Sequence, residues 1–290
     1  MELKVLAPAK INLCLDVVRK RPDGYHDIET IMQSISLYDT ITVTDTQSGD
    51  ITISCSPVGS VPCNEKNIAY KAAIQFFRYT QTINKGIHIH IDKVIPSQAG
   101  MGGGSSDGAG VILALNKLYE TYLKEKEMLE ICEKVGADVP FCLVGGTRYA
   151  NGTGTTMQKT HKLPKCKIVI CKPDVSVSTA EAYQKTDSMP PKVTVITELA
   201  MRSLYSGSMS QICATLYNDF EVALKLPEVN NIKQIMYKCK AKGASMTGSG
   251  SAVFGIFGSD STAQKCANIL KQTYNEVFIA EPTKDGCKII

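Results

Sequence analysis

No tryptophan occurs in the chain, and no two cysteines are spaced C-x-x-C. Neither charge sign forms a long run, and no apolar stretch approaches the roughly 20 residues needed to span a bilayer. Each absence removes a class. The missing apolar span excludes a membrane helix. Met1 to Leu15 carries Glu2, Lys4 and Lys10 with no apolar core of signal-peptide length, so a cytoplasmic protein is expected. Lys plus Arg at 32 against Asp plus Glu at 28 gives a formal net charge of +4 without a basic cluster, so no general nucleic-acid footprint exists and any anion specificity is local. The 11 cysteines are odd in number and set in apolar patterns such as Leu13-Cys14-Leu15. They read as reduced packing residues rather than as disulfides or a zinc cluster.

What remains is ordinary globular composition, 43% hydrophobic and 21% charged over 290 residues. At about one domain per 150 residues, two domains are expected, divided here into 1–157 and 158–290. Ile11, Leu13, Leu15 and Val17 alternate with polar positions, so a strand puts an apolar set on a core face and Lys10 beside Asn12 on the other. Arg21-Pro22-Asp23-Gly24 predicts a turn, proline fixing φ and glycine supplying a positive one, which delivers Tyr25 and His26 to the returning chain. Further strands are expected near 41–45, 51–55 and 87–91. Helices are expected over 67–80, 105–122 and 126–135, the last closed by Gly136 in the left-handed conformation. The second half predicts strands at 166–172, 244–247, 252–257 and 276–280. Helices fall at 178–187, 193–205, 208–225, 228–241 and 260–273, an α+β pattern with one layered sheet.

The strongest local signal is Pro96-Ser97-Gln98-Ala99-Gly100-Met101-Gly102-Gly103-Gly104-Ser105-Ser106-Asp107, between an expected strand and helix. Its glycines let backbone N–H groups converge, and the helix N-terminus adds unpaired donors and a positive dipole end, which suits a polyphosphate. Ser105 and Ser106 add hydroxyls where phosphate or a hydrated metal would lie. No Lys follows the glycines, which excludes a Walker A loop, and Ser105 stands where a dinucleotide fingerprint wants glycine. The bland alternative is a flexible linker or a cap at Asp107, but a linker has no reason to set its glycines between a strand and a helix. Lys10 alone is one solvated lysine among many. Asp138, in Gly136-Ala137-Asp138-Val139-Pro140-Phe141, reads equally as a loop cap or as a carboxylate desolvated by its apolar neighbours. His88 and His90 share a strand face but lack a third ligand, so they read as face residues. Met246-Thr247-Gly248-Ser249-Gly250 reads as a tight turn or as a second phosphate contact.

Taken jointly, these segments resemble the GHMP kinase family, whose hallmark is a Gly/Ser-rich loop of the kind seen from Gly100 to Asp107. Pro8-Ala9-Lys10-Ile11-Asn12-Leu13, the Arg21 to His26 turn and the Gly136 to Phe141 segment extend the likeness, and Met246 to Gly250 looks like the family's third motif. The resemblance runs in order over nearly the whole chain. It implies an α+β fold with an N-terminal domain like ribosomal protein S5 and a ferredoxin-like C-terminal domain. It also implies ATP-dependent phosphorylation, with Mg²⁺, of the tertiary 2-hydroxyl of a methylerythritol unit in a cytidine diphosphate derivative. By the same resemblance Asp138 takes the hydroxyl proton, Lys10 steadies the transferring phosphate, and Pro96 to Ser106 hold ATP. Asn12, Tyr25, His26 and Tyr183 meet the substrate, the base lying between Tyr25 and Tyr183. A member acting on mevalonate, homoserine or a sugar would share the glycine loop without needing the Asp-Gly-Tyr-His turn. A silent nucleotide-binding member would be expected to lack Lys10 or Asp138. Met101, Gly108 and Thr247 depart from the family's usual Leu, Ala and Ser without removing a charge or a backbone donor.

Overall fold

A computed structural model describes residues 1–190, 192 and 194–290. The chain opens with two long strands, β1 (Glu2–Lys20) and β2 (His26–Asp45). Gly24, at φ +87°, closes the turn between them as its sequence requires. Then follow β3 (Ile51–Ser56), α1 (Ile68–Thr80), β4 (Ile87–Asp92), α2 (Gly103–Leu118), α3 (Glu125–Val135), α4 (Val139–Val144), β5 (Thr147–Asn151) and β6 (Thr156–Lys159). The second half comprises β7 (Lys167–Lys172), α5 (Thr179–Asp187), α6 (Thr197–Ser206), α7 (Met209–Ala214), β8 (Tyr217–Asn218) and α8 (Asp219–Leu224). It ends with α9 (Pro227–Lys238), β9 (Gly243–Met246), β10 (Val253–Phe257), α10 (Asp260–Leu270), β11 (Glu276–Ala280) and β12 (Lys288–Ile289).

The first sheet runs β12-β1-β2-β4-β3, with β5 and β6 attached to β2 and β8 to β1. One side is dry because β4 alternates: Ile87, Ile89 and Ile91 pack with Ile41, Ala72 and Phe76 under α1 and α2. On its other face His88 and His90 bond to Thr52 and Ser54. The second sheet is antiparallel throughout, in the order β11-β7-β10-β9. With the helices between β7 and β9 and α10 before β11, this is the ferredoxin-like βαββαβ arrangement. Val229, Ile232 and Met236 of α9 and Cys266 and Leu270 of α10 bury against Val169, Val253 and Phe257.

Several elements differ from the sequence expectation. The helix expected over 208–225 is two short helices separated by β8, because Asn218 turns its side chain to cap Phe220 and Glu221 N–H groups and starts α8 afresh. The third helix, α3, ends at Gly136, but at φ 173°, an extended rather than left-handed stop. The helix expected from 193 begins at Thr197, with Val193 itself outside the described residues. The last residues return to the first sheet, β12 pairing with β1 and Thr283 N–H donating to Ser34 O, so the expected division after residue 157 is not clean along the chain. Cys63 is exposed and not a packing residue, whereas eight of the cysteines are buried. No helix among the described residues is long and apolar enough to cross a membrane.

Candidate active site

β1 carries Lys10 into the joint between the two sheets. Its backbone N–H donates to Met101 O at 3.0 Å, which ties the strand to the glycine loop. The side chain is only 5% exposed, and its Nζ lies 2.7 Å from Asn12 Oδ1 and 3.6 Å from Asp138 Oδ2. Asn12 is a junction: its Oδ1 accepts from Lys10, from Thr247 Oγ1 and from Gly248 N–H, while its Nδ2 donates to Thr30. The amide oxygen is fully used inside the protein, so Asn12 positions Lys10.

The glycine loop joins β4 to α2. Gly102, at φ +70°, occupies the cap position and provides no side chain, so the first N–H groups of α2 stay open. Gly100 and Gly248 meet backbone to backbone. A Cβ on Gly100 would lie 2.1 Å from Thr247 O, and one on Gly248 2.5 Å from Gly100 O, so only glycine lets the 246–250 turn seat against the loop. Behind the loop, Lys93 bridges two buried carboxylates, Asp39 at 2.5 Å and Asp107 at 2.8 Å. Burial disfavours the Lys93 ammonium, but the two carboxylates outweigh it and raise the amine. Burial, with the charge of Asp39, pushes the Asp107 carboxyl up. Asp39 also accepts the Val94 and Ile95 N–H groups, fixing where the loop begins.

Three expectations are corrected here. Ser106 faces inward: it is fully buried and its hydroxyl donates to Pro8 O at 2.8 Å, because one helical turn past Gly102 its position points to β1. Ser105 does line the cavity. Asp138 is not desolvated. Val139, Pro140 and Phe141 turn into the core as α4 begins and leave the carboxylate on the rim, 42% exposed. Nor does the Tyr183 ring stand open toward Tyr25. His26 lies on it with centroids 4.4 Å apart and planes at 16°, and Phe220 meets it edge-on at 4.9 Å. Tyr25 is exposed and outside the cavity wall, while Tyr183 lines it.

These groups surround one cavity of about 890 Å³, walled by Lys10, Asn12, Asp138, residues 96–105, Tyr183 and Gly248 to Gly250. Its size lies within the range of small-molecule sites. A charged amine beside a carboxylate, next to an open helix N-terminus, can hold phosphate and accept a proton from a hydroxyl. Sequence reasoning missed Lys93 and Asp39, which lie far apart in the chain, and Asp187, which accepts from Lys20 and His26 at the far end of α5.

This fold and loop define a small-molecule kinase of the GHMP type. Residues 67–146 match the GHMP kinases N terminal domain and residues 200–276 the GHMP kinases C terminal domain, and the chain belongs to that family. It is 41% identical over 279 residues, 96% of this chain and 97% of the relative, to a 4-diphosphocytidyl-2-C-methyl-D-erythritol kinase of Caldicellulosiruptor bescii. The namesake from Clostridium acetobutylicum is 39% identical over 96% of this chain and 99% of its own. A crystal structure of 4-(cytidine 5'-diphospho)-2C-methyl-D-erythritol kinase superposes with TM-score 0.79 at 31% identity, covering 97% of this chain and 99% of that one.

Proposed function

We propose that the chain transfers the γ-phosphoryl group of ATP to the 2-hydroxyl of 4-diphosphocytidyl-2-C-methyl-D-erythritol, a step of isoprenoid precursor synthesis. The observation that carries this is the Lys10–Asp138 contact at 3.6 Å beside the open N-terminus of α2. In this reading the first N–H groups of α2 cradle the ATP phosphates. Asp138, on the rim, takes the hydroxyl proton as the new P–O bond forms, and Lys10 offsets the charge on the phosphoryl oxygens. Asn12 holds Lys10 in place. The cytosine end lies where His26, Tyr183 and Asp187 meet, with Tyr25 beside them. The first domain supplies most of the ATP contacts and the second supplies Tyr183 and the 246–250 turn.

Mg²⁺ accompanies ATP in this reading. The residues fit it: Ser105, Asp138 and Glu181 line the cavity, an oxygen donor set that a hard cation accepts alongside phosphate and water. When bound it would supply charge neutralisation at the phosphates. The test is turnover of the purified chain with ATP. One ADP per phosphorylated cytidine diphosphate substrate is expected, with no turnover of mevalonate or homoserine. Preferential use of either of those two would overturn the assignment.

A further inference from the structure

Beside the glycine loop lies a pair of thiols that phosphoryl transfer does not use. Cys55 is the penultimate residue of β3, and Cys63 follows after a short loop through Pro57 and Pro62. Their sulfurs are 3.6 Å apart, and both sit near the same acceptor, Val61 O, at 3.8 and 3.7 Å. A disulfide bond is about 2.05 Å long, so a small loop movement would join them. The two differ in character. Cys63 is the one exposed cysteine among the described residues. Cys55 is almost covered, and hydrogen bonding from the Val61 backbone holds its thiol down to about 7. By contrast, burial pushes the Cys132 and Cys171 thiols up to about 12, which makes them inert.

The same loop borders the cavity. Val61 is part of its wall, next to Ile68 and Pro96, and Ser60 O accepts from the Ser97 hydroxyl at 3.3 Å. We infer that Cys55 and Cys63 form an oxidisable dithiol site that accepts a low-molecular-weight disulfide and couples its redox state to nucleotide binding. Cys63, the exposed partner, attacks the reagent disulfide as its thiolate, forming a mixed disulfide, and its proton leaves with one reagent thiol. The Cys55 thiolate then attacks the Cys63 sulfur and expels the second reagent thiolate. The two protein thiols give up two electrons and two protons, and the reagent disulfide takes them up as two thiols. Joining the sulfurs removes their contacts with Val61 O and so shifts Val61 in the cavity wall.

The coupling, though not the bridge, rests on the nucleotide lying beside this loop. The full chain is treated with oxidised glutathione, alkylated under denaturing conditions and mapped by peptide mass spectrometry. KM for ATP and for the cytidine substrate is measured before oxidation, after it, and after dithiothreitol. A Cys55–Cys63 bridge is expected. KM for ATP should rise about three- to tenfold, as when one partly buried apolar side chain leaves a ligand wall, and dithiothreitol should reverse the rise. The cytidine substrate KM should not move, and Cys63→Ser should be insensitive to the oxidant. A stable mixed disulfide on Cys63 without the bridge, or a bridge to another cysteine, overturns the site. A complete bridge with unchanged KM for ATP overturns the coupling. A bridge in a chain with no ATP-dependent turnover upholds the dithiol and overturns the kinase reading instead.

Discussion

The imidazole of His26 lies flat on the ring of Tyr183, 4.4 Å between centroids, while its Nε2 meets Asp187 Oδ1 at 2.7 Å. The stack joins the start of β2 to α5 and so closes one end of the cavity across the two sheets. Such a ring pair contributes about 0.5–1.5 kcal/mol and holds the His26 imidazole at the cytosine end. Tyr183→Ala should therefore raise KM for the cytidine substrate about tenfold while KM for ATP stays within about twofold. Steady-state titration of each substrate checks this, and equal loss of both affinities would contradict it.

Gly248 tests the seating of the 246–250 turn. At φ +53°, and with Gly100 O where a Cβ would stand, Gly248→Ala must strain the backbone or push the turn off the glycine loop. Such positions cost of order 1–3 kcal/mol. The variant should melt several degrees lower and lose kcat, since Gly248 N–H also donates to Asn12. Calorimetry paired with kinetics decides, and wild-type values for both would remove the role given to the turn. The loop glycines are not interchangeable probes. A side chain on Gly103 would meet Lys93 Nζ at 2.9 Å and Ile95 at 3.1 Å, so its replacement disturbs packing as well as any phosphate contact.

Much of this was legible in the sequence, because the chemistry is concentrated in contiguous motifs. The strand pattern placed Lys10 beside Asn12, the Arg21 turn formed as its residues dictate, and the glycines lie between strand and helix. Ser106 misled because a hydroxyl in a polar motif reads as a ligand, whereas helical geometry turns it inward to Pro8 O. Asp138 misled because its apolar neighbours enter the core and leave it on the rim. The break at β8 is set by one side chain, Asn218, whose capping outweighs a continuous helical pattern. The buried Asp39–Lys93–Asp107 cluster joins β2, α2 and the residue after β4, and no local spacing reveals such a meeting.

Acid stability should depend on Asp16. Burial disfavours its carboxylate, but bonds from Lys192, Thr197 and the Ile196 N–H outweigh that and hold it below its ordinary value of 3.8. Between the two values the unfolded chain binds more protons. The stabilisation is therefore present above about pH 4 and is lost as pH falls through the folded value. Melting temperature should drop steeply below about pH 4, and Asp16→Asn should be less stable at pH 7 with a shallower acid step. Thermal scans across pH check both, and an acid profile unchanged by the substitution would contradict them.

The Lys10–Asp138 pair carries the account. Lys10→Met should lower kcat, and the Lys10→Met/Asp138→Asn double variant should be less damaged than the product of the single effects, because the two act on one transition state. The most direct measurement is phosphoryl transfer from ATP to 4-diphosphocytidyl-2-C-methyl-D-erythritol by folded Asp138→Asn, followed at steady state. General-base catalysis is worth about 10²–10⁴ in rate. For Asp138→Asn, kcat should fall within that range with KM for both substrates nearly unchanged. A near-normal kcat would contradict it, leaving Lys10 and the glycine loop to work by positioning alone.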